Sequence, residues 1–450
     1  MTDLEVSVIN HPLFQRLRHI RQNDVAFFVY PSLNISRFEH SLGCAHVAGK
    51  MAVSMTRSAL WPRYQETINL ETDDFEQVCR LYALLHDAGH LPLSHLFEIA
   101  FEDFAHQREP DRSLVSLCEE WFGGRNFTKL HESCGSAVAA RILGELKAAR
   151  RVRECVLTLM RSKSLPLADP LRPIKSLIDS EIDADRIDST ARDGLLAGRE
   201  YGTYDIERLC SSVTIQRHGD GWRLAYSHKA LGSIEALMLD RYRTHTWIHF
   251  HHRVVAMKVA TAELITRLLG RDIITKESFA LNDKQSMPLR DDIWLWSLLR
   301  DHASDITKDP VGKAASAAVF FRDTCELRLL WKNRTEYNEW NTKAMLSAGK
   351  SRMPVFKRDY EESISRLLKA KVVTYWVKFK PVGDDVIPLS SEQGDKAFGD
   401  LAPSSRLIGS LAAIWEGEPQ YYVVLLGPAG QKMDDIRKAW VKHTAEWMAR

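Results

Sequence analysis

Strand-like sequence occupies only three short stretches of this 450-residue chain, and elsewhere apolar residues recur at helical spacing. Residues 213–227 (VTIQRHGDGWRLAYS) alternate about Gly-Asp-Gly and read as a hairpin, while Val372–Lys380 and Tyr421–Leu426 are β-branched and aromatic runs. The chain is therefore constrained to a mainly α fold. Helices are expected from His11-Pro12, with Phe14, Leu17 and Ile20 on one face, and from about Ile35 past Val47. Another starts at Asp73, carries Phe75, Val78, Cys79, Tyr82 and Leu85, and breaks at Gly89 and Pro92. Two more fall within 131–160, one spans 181–197 up to Gly198, and a single long helix runs from about Ala230 beyond Leu264. Three units follow: a helical core over 1–265, a helical extension over 266–351, and a small α/β appendage over 352–450 that ends in a helix at 431–449.

Composition narrows the class. Apolar residues are 45% and charged residues 27%, and no apolar run approaches the roughly 18 residues that span a bilayer. Seven cysteines, odd in number and without a C-x-x-C pair, argue against a disulfide scaffold or a cysteine-rich zinc site. The opening MTDLEVSVINHP lacks the pattern of a signal peptide, so a cytoplasmic location is expected. Lys+Arg is 61 against Asp+Glu 59, a net charge of +2, which excludes a strongly basic nucleic-acid binder. The local basic run KAARRVR at 147–153 reads as a solvated helix face, with a neighbouring subunit or single-stranded nucleic acid as alternatives.

Three segments carry chemistry. In LLHDAGHLPLSH, His86 and Asp87 stand at a helix end, where the break at Gly89 lets an imidazole and a carboxylate face one cation. A buried core histidine is the bland alternative. In RFEHSLG, Arg37 and His40 share a helix face, an awkward pair for a core and a sensible one for metal and phosphate. EIDADRIDSTARD packs five carboxylates into 13 residues: Asp185, Ser189 and Asp193 form one stripe, and Asp183 sits where an N-cap would. A solvated acidic face is the alternative there, although Arg186 and Arg192 interrupt it. Further on, WIHFHHRVVAMK gathers His249, His251, His252, Arg253 and Lys258, either as a metal-binding cluster or as a polar face.

In order, His40, His86-Asp87 and Asp185 resemble the H…HD…D metal ligands of the HD-domain phosphohydrolase superfamily. The surrounding strings HPLFQRLR, Y-P-x-x-x-x-S-R-F-E-H-S-L-G, LLHDAGH-x-P-x-S-H and IDADRID-x-x-x-R-D resemble its deoxynucleoside triphosphate triphosphohydrolase (dGTPase-like) branch over roughly residues 5–265. The resemblance implies an HD-domain helical core and a divalent ion (Mn, Fe, Mg or Zn), which two imidazoles and two carboxylates suit. Such an ion binds a phosphate oxygen and acidifies water. It implies hydrolysis of a nucleoside triphosphate to nucleoside and inorganic triphosphate, with Arg37 balancing phosphate charge. His131 falls to the acid–base role, oriented by Glu98 and with His95 beside it, while His90 is read as supporting. Gln22, Arg186, Ser189, Asp193 and Arg253 are the implied substrate contacts. Two departures stand out: Ser189 replaces a tyrosine that packs on the sugar, and Gln22-Asn23 replaces Gln-Leu, which opens room for a ribose hydroxyl. Relatives imply a homo-oligomer, in some cases with a nucleotide effector between subunits. The competing functions are an HD phosphohydrolase of another phosphoester (a nucleoside monophosphate, cyclic dinucleotide or single-stranded nucleic acid) and a non-catalytic nucleotide sensor.

Overall fold

A computed structural model describes residues 1–124, 127–146, 148–198, 204–281, 286–348, 358–379, 388–390, 397–400, 405–428 and 430–449. Lys147, the expected unit boundary at 352 and Lys380 lie outside the described residues. The first half is helical, as the periodicity requires: α1 (Arg37–Thr56), α2 (Thr72–Leu85), α3 (His95–Arg108), α4 (Leu130–Glu145), α5 (Arg150–Arg161) and α6 (Ala184–Leu196). Helix α1 starts where Ser36 accepts the Glu39 amide and the Glu39 carboxylate accepts the Ser36 amide, a reciprocal capping box. It runs through the centre of the core, flanked by α2 and α6. Gly43 makes the second approach possible, since a Cβ there would lie 1.8 Å from Asp188 Oδ1. No helix among the described residues is long and apolar enough to cross a membrane.

Two helical expectations need correction. The helix beginning at His11 is a single α turn, Pro12–Gln15, prolonged as a 3-10 turn over Arg16–His19, with Phe14, Leu17 and Ile20 buried nonetheless. The long helix from Ala230 past Leu264 is instead two, α7 (Leu231–Thr244) and α8 (His252–Gly270). A π-helical turn at His245–His249 separates them, and helical geometry lapses at Phe250 and His251. One added residue in that turn rotates everything after it, which an apolar period cannot reveal.

Strands β1 (Val213–His218) and β2 (Gly221–Ser227) form the expected antiparallel hairpin, turning through Gly219 at φ +57°. Beyond α9 (Pro310–Phe321), β3 (Leu327–Leu329) joins β4 (Lys371–Trp376) and β7 (Tyr421–Leu426) in a three-stranded sheet with β7 central. The short strands β5 (Pro388–Ser390) and β6 (Ala397–Asp400) extend the first hairpin instead, β5 lying parallel to β2. The stretch 266–351 is thus not purely helical, because Leu327–Leu329 belongs to the C-terminal sheet. All three strands of that sheet touch α8, and every residue of β7 is buried, so both its faces are covered. Helices α10 (Arg358–Leu368) and α11 (Met433–Met448) pack with it, and Trp331, Tyr421 and Trp440 meet edge-on. One continuous apolar core extends from Val8 to Trp440.

The turn that ends α2 packs closely on α4: a Cβ on Gly89 would stand 2.1 Å from the Gly135 amide nitrogen and 2.2 Å from the His131 carbonyl oxygen, both backbone of α4. Gly89→Ala should therefore cost about 1–3 kcal/mol, seen as a lower thermal midpoint, because no rotamer relieves a backbone clash. An unchanged midpoint would show that α4 is free to move away.

Candidate metal centre and histidine cluster

Three helix ends meet beneath Arg37. The first turns of α1 present Arg37 and His40, the C-terminus of α2 gives way at His86 and Asp87, and α6 opens on Asp183, whose carboxylate accepts the Arg186 amide and leaves Asp185 in the first turn. His40 Nε2 lies 3.0 Å from Asp185 Oδ1 and 3.6 Å from Asp87 Oδ2, and its other nitrogen lies 2.9 Å from Asp188 Oδ2. Arg192 in turn holds Asp188 at 2.7 Å. His86 Nδ1 donates to the Ala83 carbonyl at 2.6 Å, which turns Nε2 inward, 3.5 Å from Asp87 Oδ1. That buried Nε2 has no hydrogen-bond partner. Each histidine is thus anchored through one nitrogen and presents the other, the arrangement that orients metal-bound imidazoles.

The structure brings His40, His86, Asp87 and Asp185 together, and adds Cys44, one turn after His40. One donor atom from each of His40, Cys44, His86 and Asp185 lies within 4.8 Å of the others. Burial opposes ionisation of Asp87, but Arg37, His86 and His90 hold it well below the usual carboxylate range. Burial likewise opposes ionisation of Asp185, and His40 brings it down to about 2. Burial would depress His40, yet Cys44, Asp185 and Asp188 raise it well above an ordinary imidazole. An orphaned inward nitrogen and two ionised carboxylates fit a divalent cation with nitrogen and oxygen ligands.

A second group adjoins the first. Arg37 pairs with Asp87, donates to Ser94 Oγ at 3.0 Å and reaches the Gln22 carbonyl at 3.4 Å. Leu93 and Ser94 hold left-handed backbone at φ +57° and +54°, fixed by Leu93 N donating to Asp292 at 2.7 Å and Ser94 Oγ donating to the Arg21 carbonyl at 2.7 Å. This strained corner starts α3 at His95. Glu98 then grips two rings, His95 Nδ1 at 3.0 Å and His131 Nδ1 at 2.8 Å, and accepts the His131 amide at 2.9 Å. Despite burial, His131 and His95 keep Glu98 well below the carboxylate range. His90 links the groups: its Nε2 lies 3.1 Å from Asp87 Oδ1, and its ring stacks on His131 at 4.3 Å. Burial, together with Arg37 and His131, keeps His90 neutral.

Toward the N-terminal loop, Asn23 donates to Asp193 at 2.6 Å and His249 Nε2 approaches the same carboxylate at 3.1 Å. The buried Gln22 Oε1 lacks a hydrogen-bond partner, and Ser189 is half-buried one turn before Asp193. Arg186 lies 3.7 Å from Asp183 and 3.9 Å from Glu181, while Arg241 approaches Glu181 at 3.6 Å. His245 stacks flat on Phe379 at 3.7 Å. Arg253, by contrast, is exposed at the first turn of α8, with no ion pair among the described residues to either group. His249, His251 and His252 form no metal-binding group among the described residues. Asp188, Arg241 and His245 join the site only through contacts between distant segments, which no local pattern announces.

Because His40 is protonated over the neutral range when no cation is bound, cation binding must displace that proton. Affinity should rise by about one decade per pH unit as pH increases through neutrality. Competition titrations with a chelating dye between pH 6 and 8 measure this, and a flat profile would mean that His40 is not a ligand. His86→Ala should lower metal content at least about tenfold by elemental analysis.

The HD domain family matches residues 37–193, the segment holding all four H…HD…D residues. An uncharacterized protein of Methanocaldococcus jannaschii is 28% identical over 300 residues, covering 67% of this chain and 52% of its own length. An uncharacterized protein of Bacillus subtilis is 26% identical, covering 57% and 49%. The human deoxynucleoside triphosphate triphosphohydrolase SAMHD1 is 25% identical over 271 residues, covering 56% and 40%. The chain thus spans about half the length of the curated relatives it matches. A solved structure of a hypothetical protein from Aquifex aeolicus shares the fold, with a TM-score of 0.64 at 20% identity over 98% of this chain and 96% of that one. The chain thus carries an HD domain over residues 37–193, and its sequence is similar to the deoxynucleoside triphosphate triphosphohydrolase-like branch of the HD-domain phosphohydrolases.

Proposed function

We propose that this protein hydrolyses nucleoside triphosphates, deoxy or ribo, at the α-phosphorus to release nucleoside and inorganic triphosphate. The observation that carries the reading is the continuous line Asp87–His90–His131–Glu98, which ties the candidate metal ligands to an acid–base pair through contacts of 3.1, 4.3 and 2.8 Å. When bound at His40, His86, Asp87 and Asp185, a divalent cation supplies Lewis-acid polarisation of a phosphate oxygen and acidifies water. Arg37, already buried against Asp87, supplies a second positive charge as negative charge builds on the phosphoryl oxygens. Water oxygen bonds to phosphorus, the bond from phosphorus to the sugar O5′ breaks, and O5′ takes a proton. In its imidazolium form His131 can deliver it from Nε2, because the Glu98 carboxylate accepts from Nδ1–H and orients the ring. His95, on the other oxygen of Glu98, lines the same place.

Arg186, joined by Arg241, supports the phosphate side of the reading, and Gln22, Ser189 and Asp193 support the sugar side. Asn23 and His249 hold Asp193 so firmly that its carboxylate is preset to accept a hydroxyl. Ser189 leaves space where a tyrosine would close on the sugar, which favours tolerance of ribonucleotides. Arg253 stands outside this grouping. Assembly into a homo-oligomer, with a nucleotide effector, belongs to the same proposal and rests on the family resemblance.

Incubation of the metal-loaded chain with each of the eight common nucleoside triphosphates, with released triphosphate separated by ion-exchange chromatography, tests the reaction. Triphosphate and nucleoside should appear in equal amounts. Release of orthophosphate or pyrophosphate alone, or cleavage only of monophosphates or single-stranded nucleic acid, would reject it. His131→Ala should keep its metal yet lose about 10²- to 10⁴-fold in kcat, whereas wild-type turnover would remove His131 from the reaction.

A further inference from the structure

We propose that Asp292 is a positioning residue for the acid–base half of the site: from outside the matched HD segment, its carboxylate holds the Leu93-Ser94 corner that aims Arg37 and His95. The inference rests on the phosphohydrolase reading above and concerns what keeps that machinery in place. Asp292 opens the helix Asp292–Asp301 and is fully buried. Capping does not explain it, because the neighbouring Asp291 already accepts the Trp294 amide as N-cap. The Asp292 carboxylate instead reaches two distant segments. Its Oδ1 accepts the Leu93 amide at 2.7 Å, and its Oδ2 accepts the Arg21 amide at 3.1 Å and the Arg21 guanidinium at 3.3 Å. Burial pushes the carboxyl up to about 6 in spite of those donors, so the group is costly to keep there.

These contacts close on a strained turn. Leu93 has φ +57°, and Ser94 has φ +54° with ψ −128°, a conformation that favours glycine. Neither residue is glycine, so the surroundings must hold the turn. Ser94 Oγ donates to the Arg21 carbonyl at 2.7 Å and accepts from Arg37 Nε at 3.0 Å. Arg21 is therefore gripped by Asp292 at its amide and by Ser94 at its carbonyl, and the chain leaves Ser94 directly into His95. Beside this, buried Arg16 donates to the Arg290 carbonyl at 3.1 Å and to the Ala88 carbonyl at 3.0 Å, one residue after Asp87. Residues 290–292 thus brace both ends of the segment from Asp87 to His95. Without the Asp292 carboxylate the Leu93 amide loses its acceptor and the turn relaxes, which shifts the Arg37 anchor and the start of α3 and leaves His40, His86 and Asp185 in place.

Steady-state triphosphate release, metal content and amide hydrogen exchange over residues 91–96, all on the full metal-loaded chain, test this. Asp292→Ala should keep its metal and lose about 10- to 100-fold in kcat with KM changed less than about threefold, because the displaced groups act in the transition state. Asp292→Asn keeps an acceptor for the Leu93 amide and should stay within about fivefold of wild-type kcat. Asp291→Ala removes the helix cap and should lower the thermal midpoint without changing kcat. Exchange over 91–96 should quicken in Asp292→Ala and not in Asp291→Ala. Wild-type kcat in Asp292→Ala, or an equal loss in Asp291→Ala, would overturn the assignment while leaving the phosphohydrolase reading intact. Should Asp292→Ala fail to fold, Asp292→Asn decides, since a loss of about tenfold or more there overturns the claim that the Leu93 bond carries the effect. A wild-type chain that releases no triphosphate rejects the reading itself; exchange then decides for Asp292, faster exchange in Asp292→Ala supporting its hold on the corner and unchanged exchange overturning it.

Discussion

Two carboxylates, Asp87 and Asp185, converge on a single imidazole nitrogen of His40 inside a buried pocket, and this crowding of negative charge sets the terms for everything around it. Ionised groups so placed repel one another strongly unless positive charge is supplied. Part comes from Arg37, locked onto Asp87 and Ser94, and part from the protonated His40 itself. A divalent cation held at this centre would replace that proton and complete the balance. The surrounding architecture serves this end: three helix termini are aimed at one point, Gly43 and Gly89 let α6 and α4 close in, and Asp188 and Ala83 pin the far side of each imidazole.

The C-terminal half of the chain reaches into the same region. Phe379 stacks on His245, beside His249 and hence beside Asp193, while Lys258 on α8 holds Asp24 at 3.1 Å next to the Gln22-Asn23 loop. Asp24 itself sits at φ +43°, so the loop is held in a conformation it would not keep unaided. The three-stranded sheet packs along α8, the helix that carries Lys258. The α/β part is therefore a buttress for the Asp193 side of the pocket as well as a separate layer of the fold.

Much of the site could be read from the amino-acid order. His86-Asp87 at a helix break, Arg37 and His40 on one face, and the Asp183 cap with its stripe are local features, each fixed within a few residues. What escaped depends on contacts across the chain. Asp188 reads as one more acid in a stripe until α1 packs over Gly43 and sets it against His40. The π turn at His245–His249 hides inside a long apolar period, and Arg253, which the family resemblance implies as a substrate contact, is exposed at the first turn of α8. Leu327–Leu329 is too short to show an alternating pattern and becomes a strand only by pairing with Leu426, Leu425 and Val424.

Anomalous diffraction at the absorption edge of the bound metal, from crystals of the metal-loaded protein, bears most directly on the central claim. One dominant peak is expected at bonding distance, about 2.0–2.4 Å, from His40 Nε2, His86 Nε2 and carboxylate oxygens of Asp87 and Asp185. A peak among His90, His95 and His131 instead, or none with those four side chains ordered, would contradict it.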